Sequence, residues 1–64
     1  MKLSIPTMHC GGCVKGVTRA VEKVDKGATV RADLATHEAA VETRASEAEI
    51  LATLEKAGFP ASVR

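Results

Sequence analysis

Aromatic residues are nearly absent from this chain: it has no tryptophan and no tyrosine, and Phe59 stands alone among its 64 residues. Proteins that hold single-stranded nucleic acid stack bases on aromatic rings, and no such platform exists here. Charge of one sign is also scarce. Nine Lys and Arg are set against eight Asp and Glu, giving a formal net charge of +1, far from the basic excess of a duplex-binding module. No apolar stretch nears the ~20 residues of a membrane span, and Met1-Lys2-Leu3-Ser4-Ile5-Pro6 lacks the apolar run of a signal peptide. The expectation is a soluble, cytoplasmic protein that neither binds nucleic acid nor inserts into a membrane. A chain of this length buries one thin hydrophobic layer, so we expect a single domain over residues 1–64, no deep substrate cavity and no enzymatic activity. Initiation at Met1 and termination on the last expected strand favour a stand-alone protein over an excised domain.

Cysteine is limited to Cys10 and Cys13. One pair separated by two residues makes no disulfide framework of the kind that staples small secreted domains, so the thiols are expected to be reduced. They lie in Met8-His9-Cys10-Gly11-Gly12-Cys13, where an opening strand gives way to a helix. Two thiols at this spacing can hold a soft metal ion or form a disulfide. Copper(I), a soft d10 ion, is satisfied by two thiolates in nearly linear geometry, which a single CxxC loop supplies. A zinc site normally needs four ligands, and beyond the cysteines this chain offers only His9 and His37 nearby. Two-coordination also leaves the ion open to attack by a partner's thiolate, which makes tight holding compatible with fast handover. Cys13 falls in the first turn of the expected helix, where unpaired N–H groups and the helix dipole favour a thiolate by roughly 0.3–1 kcal/mol. Gly11 and Gly12 are expected to let the loop bend around an ion and a partner approach closely.

The remaining pattern is regular. Leu3 and Ile5 alternate with Lys2 and Ser4, a short strand ended by Pro6. From about Gly12 to Val24 the apolar positions Cys13, Val17, Ala20, Val21 and Val24 recur at helical spacing, with Lys15, Arg19 and Lys23 on another face. Ala28, Val30, Ala32 and Leu34 alternate with polar residues, as do Ala39 and Val41 after Ala35-Thr36-His37, which predicts a hairpin. Ser46 and Glu49 form a capping-box signature ahead of a second helix along Ile50, Leu51, Leu54 and Ala57, and Ala61 and Val63 suggest a last strand. The order strand, helix, strand, strand, helix, strand predicts an α+β, ferredoxin-like βαββαβ open-faced sandwich, a four-stranded antiparallel sheet with two helices on one face. In that topology Cys10, Cys13, His37 and Phe59 share one rim, with His37 on the hairpin farther from the cysteines.

Met8, His9, Cys10 and Cys13, followed late in the chain by Gly58-Phe59, resemble the motif of the heavy-metal-associated domain, and within that family the small bacterial copper chaperones. The resemblance covers essentially the whole chain. It implies a copper(I) metallochaperone in which Cys10 and Cys13 bind the ion and pass it by thiolate exchange to a copper-transporting P-type ATPase, with a copper-responsive regulator as a second candidate partner. It also admits metal-bridged homodimers of a protein that is monomeric without metal. In this family the methionine at the place of Met8 packs inward and braces the loop, in keeping with the way Met fills irregular gaps.

The other residues near the motif are weighed against blander roles. His9 is by default a solvated side chain and otherwise an additional ligand or modulator of release. His37 is expected to decorate the hairpin turn. Phe59 is expected to support the loop from the core; bacterial relatives commonly carry tyrosine there, and Phe59 has no hydroxyl to contribute. Lys15 and Arg19, with Lys23, form either a solvated helix face or a docking stripe for an acidic partner. Zinc or mercury is the alternative cargo, although zinc-selective relatives usually carry an acidic residue where His9 stands. A dithiol-disulfide oxidoreductase is the alternative of a different class; against it, the chain is too short for a thioredoxin fold.

Overall fold

A computed structural model describes all the residues, Met1–Arg64. Strand β1 (Lys2–Ser4) leads to helix α1 (Gly11–Val24), then come β2 (Thr29–Asp33), β3 (Glu38–Glu42), helix α2 (Glu47–Lys56) and β4 (Ser62–Val63). The strands pair throughout in antiparallel fashion in the order β2-β3-β1-β4, the arrangement expected of a ferredoxin-like sandwich. Alternation fixes which side of the sheet is covered. Leu3, Ala39 and Val41 turn inward, and they meet Val17, Ala20 and Val21 of α1 and Ile50 and Leu54 of α2 in one core that also contains Ile5 and Met8. No polar or charged residue is buried.

The boundaries differ from the sequence expectation in ways that have physical causes. β1 stops at Ser4, one residue before Ile5. Ile5 remains fully buried, but its N–H donates to the carbonyl of His37 at 2.7 Å. The strand is therefore replaced at that point by a tie to the hairpin turn. Leu34 lies beyond β2 and is 38% exposed, so the alternating run overshoots the strand. α1 begins at Gly11 rather than Gly12.

Two local devices set the ends of the sandwich. At the end of α1 remote from the cysteines, the Asp25 carboxylate accepts from the Gly27 and Arg44 amides (both 3.0 Å) and the Thr43 hydroxyl (2.9 Å), which joins the loop after α1 to the loop after β3. Those bonds hold the Asp25 carboxyl below its ordinary range, the Arg44 amide contributing most. At the near end, α2 stops in a Schellman turn. Gly58 takes a φ of +91°, its N–H donates to Glu55 and that of Phe59 to Leu54. The turn delivers the Phe59 ring onto α1, where a Cβ at Gly16 would stand 2.9 Å from the ring. Gly16 is needed for that close approach.

Candidate metal centre

The segment between β1 and α1 is short and held at both ends. The Met8 N–H donates to the Ile5 carbonyl at 3.0 Å, and the Met8 side chain is fully buried within the core. His9 and Cys10 follow on the exposed side. Cys10 is the N-cap residue of α1, with φ −151° and ψ 167°, and its carbonyl accepts from Cys13 (3.0 Å) and Val14 (3.2 Å). One helical turn therefore brings the two sulfurs to 3.2 Å, as free thiols in hydrogen-bond contact.

The electrostatics favour a thiolate at Cys13. Its pKa is lowered, first by the backbone N–H of His9, then by the Cys10 thiol and the Cys10 amide; desolvation opposes them, and the His9 ring adds a small favourable charge effect. α1 also has no side-chain cap and no acidic residue in its first turn. Its unpaired N–H groups and positive dipole end thus remain available to an anionic sulfur. Gly11 and Gly12 contribute differently from the sequence expectation. Both lie inside the helix, without a left-handed φ. A Cβ at Gly11 would meet nothing within 4 Å and one at Gly12 only the Cys10 sulfur at 3.8 Å, so Gly12 leaves open space beside that sulfur and neither glycine makes a pliable loop.

The remaining sequence candidates divide into those that reach the sulfurs and those that do not. The ligand atoms of His9, Cys10 and Cys13 all lie within 4.8 Å of one another. Lys15 and Arg19 are exposed on α1. The Phe59 ring lies against α1 at Gly16, one turn beyond Cys13.

His37 requires a correction. Far from decorating the turn, it is half-buried, takes a φ of +58°, and bonds through ring Nδ1 to the Met8 carbonyl at 2.8 Å, across 29 residues of sequence. A carbonyl only accepts, so Nδ1 carries the proton. With its own carbonyl taking the Ile5 N–H, His37 clasps both ends of the segment that leads into the cysteines. Nothing local to residue 37 signals this, because the partner atom arrives only when the hairpin docks beside β1.

The surface hollows lie elsewhere, one among Arg19, Glu22, Lys23 and Lys26 and one among Asp25, Gly27, Thr43 and Arg44. The cysteines sit on an open rim instead of in a pocket. Such a rim suits an ion that a second macromolecule must reach, and it gives an organic substrate little to bind.

An open-faced βαββαβ sandwich bearing an exposed Cys10 beside a half-buried, thiolate-prone Cys13 at a helix start defines a class of small metal-binding domain. The chain belongs to the heavy-metal-associated domain family, whose model matches residues 2–60. Among solved structures it is similar to a gold-binding protein, 45% identical with a TM-score of 0.95 over 100% of this chain and 98% of the other. It is likewise similar to the copper chaperone Atx1 from Synechocystis PCC6803 (29% identity, TM-score 0.93, 97% and 98% covered). Oxidized MerP from Ralstonia metallidurans CH34 also matches (31% identity, TM-score 0.84, 98% and 92% covered). The comparison with curated proteins gives no match. No helix is long and apolar enough to cross a membrane.

Proposed function

We propose that this protein is a copper(I) metallochaperone in which Cys10 and Cys13 are the ligands, both as thiolates. The carrying observation is the pair of free sulfurs 3.2 Å apart at an uncapped helix start. Thiolates select soft ions such as copper(I). In line through one ion, two metal–sulfur bonds of about 2.3 Å span about 4.6 Å, so loading requires the sulfurs to part. Exposed Cys10 can swing outward without disturbing the core. The same exposure admits an incoming thiolate, so the ion can move through a shared three-coordinate intermediate instead of being released into water.

Met8 and Phe59 support the site from beneath, and Lys15 and Arg19 orient an acidic partner surface. By family resemblance the recipient is a metal-binding domain of a copper-transporting P-type ATPase, with a copper-responsive regulator as a further partner and a metal-bridged homodimer as a further state. The gold-binding relative at 45% identity favours a second reading, in which the cargo is another soft monovalent ion held by the same two sulfurs.

Anaerobic titration of reduced protein with copper(I) against a chromogenic chelator tests both. Stoichiometric tight binding that excess zinc(II) does not displace, and that gold(I) displaces only weakly, is the expected result. Weak copper(I) binding would refute the copper reading, and displacement by gold(I) would favour the second.

A further inference from the structure

His9 has an arrangement that a solvated side chain does not need. Its ring Nδ1 is 2.8 Å from the carbonyl of Thr7. Because a carbonyl can only accept, Nδ1 carries a proton, and in the neutral ring Nε2 then holds the free lone pair. Metal-bound histidines are commonly held in this way, with one ring N–H given to a backbone carbonyl so that the ring is oriented and the other nitrogen is free to ligate. A ring nitrogen of His9 lies within 4.8 Å of both cysteine sulfurs. An ion with metal–sulfur bonds of ~2.3 Å and a metal–nitrogen bond of ~2.0–2.1 Å holds its donors roughly 3.5–4 Å apart, a separation that rotation of these exposed side chains can reach. A Cβ at Gly12 would meet only the Cys10 sulfur, at 3.8 Å, so the space on that side of the centre has room for water or a partner's ligand.

We propose that His9 is a third donor of this centre and gives it a second binding mode, for a borderline divalent ion of the zinc(II) class, that copper(I) does not use. The proposal rests on the reading of Cys10 and Cys13 as metal-binding thiolates. Copper(I) is satisfied by the two sulfurs, whereas a divalent ion that prefers four mixed nitrogen and sulfur ligands gains from an imidazole. Under this assignment His9 separates the two modes: one ion ignores it and the other depends on it.

The test compares the wild-type protein with His9→Ala, titrating each anaerobically with zinc(II) alone and with copper(I) alone against chromogenic chelators. It also follows the imidazole nitrogens of the wild type by 15N NMR during zinc addition. His9→Ala should weaken zinc(II) binding by at least the roughly tenfold that losing a partner of a metal-bound imidazole costs, and should leave copper(I) affinity unchanged. In the wild type, His9 Nε2 should move strongly upfield on zinc binding while the His37 nitrogens stay in place. Unchanged zinc(II) affinity in the variant, an unmoved Nε2 at saturating zinc, or equal losses for both ions would each overturn the proposal. Failure of the wild type to bind copper(I) would instead bring down the metallochaperone reading; tight copper(I) binding with histidine-independent zinc would bring down only the role of His9.

Discussion

The two helices of this domain begin in opposite ways. α2 opens with Ser46, whose hydroxyl accepts from the Glu49 N–H at 3.2 Å, and carries Glu47 and Glu49 in its first turn. Its donors and dipole are therefore satisfied in the manner that stabilises a helix end. α1 opens with Cys10, which makes no side-chain cap bond, has no acidic residue in its first turn, starts with Gly11 and Gly12, and carries Gly16 in its interior, where glycine is disfavoured by roughly 1 kcal/mol relative to Ala. What holds α1 is burial of Val17, Ala20 and Val21 further along. One helix start is built for stability, and the other keeps its donors for a charged sulfur. At its start α1 breaks the local rules of helix design where the cysteines sit, as expected when a site competes with the fold for the same groups.

The largest effect should come from turning the start of α1 into one like that of α2. In Cys10→Ser, a hydroxyl occupies an N-cap position whose backbone is already extended. Copper(I) affinity should fall by more than the ~10–100-fold that follows loss of a metal ligand's outer partner. Stability of the metal-free protein should instead rise, by about 0.5–1 kcal/mol, read as an increased urea midpoint at constant slope. Retained copper(I) affinity would show that Cys10 is not a ligand. A fall in stability would show that its thiol already serves the helix.

The converse substitution is Ser46→Ala, which removes the cap of α2 and nothing near the cysteines. It should cost about 1 kcal/mol, a drop of roughly 4–8 °C in the thermal midpoint of a domain this small. Copper(I) affinity should not change. An altered affinity would mean that the two helix starts are coupled through the core, and the division between them would fail.

This contrast was partly legible in the sequence. Ser46 with Glu49, Gly58 after a helical apolar face, and CxxC between a strand and a helix each carry a local signal, and the element order assembled from such signals is the observed one. Of the predicted capping box, the hydroxyl half forms. What escaped depends on contacts between segments distant in sequence. In the sequence His37 reads as a turn residue, because its partner, the Met8 carbonyl, meets it only across the sheet. Ile5 reads as strand because its apolar side chain belongs to the core, although its amide is taken by the hairpin turn. The role of Gly16 could not be foreseen either, since a helical glycine has no local motive until the Phe59 ring is placed against it.

The smallest expected effect tests the electrostatic half of the contrast. Gly11→Glu gives α1 the first-turn carboxylate that α2 already has, at a position where a Cβ meets nothing within 4 Å; Gly11→Gln is its neutral control. The carboxylate should favour the helix by roughly 0.3–1 kcal/mol and disfavour a thiolate beside it. In the wild type the Cys13 pKa is lowered, so its contribution to stability is complete above the unfolded thiol value and is lost as the pH falls through the folded one. In Gly11→Glu that folded value should rise relative to Gly11→Gln. The pH midpoint of Cys13 alkylation by iodoacetamide, followed by peptide mass spectrometry, should move upward, and the stability gained on raising the pH should shrink. Coincident midpoints in the two variants would mean that the Cys13 thiolate is held by its own hydrogen bonds from His9 and Cys10 alone. In that case the missing acid at the start of α1 would matter only to the helix.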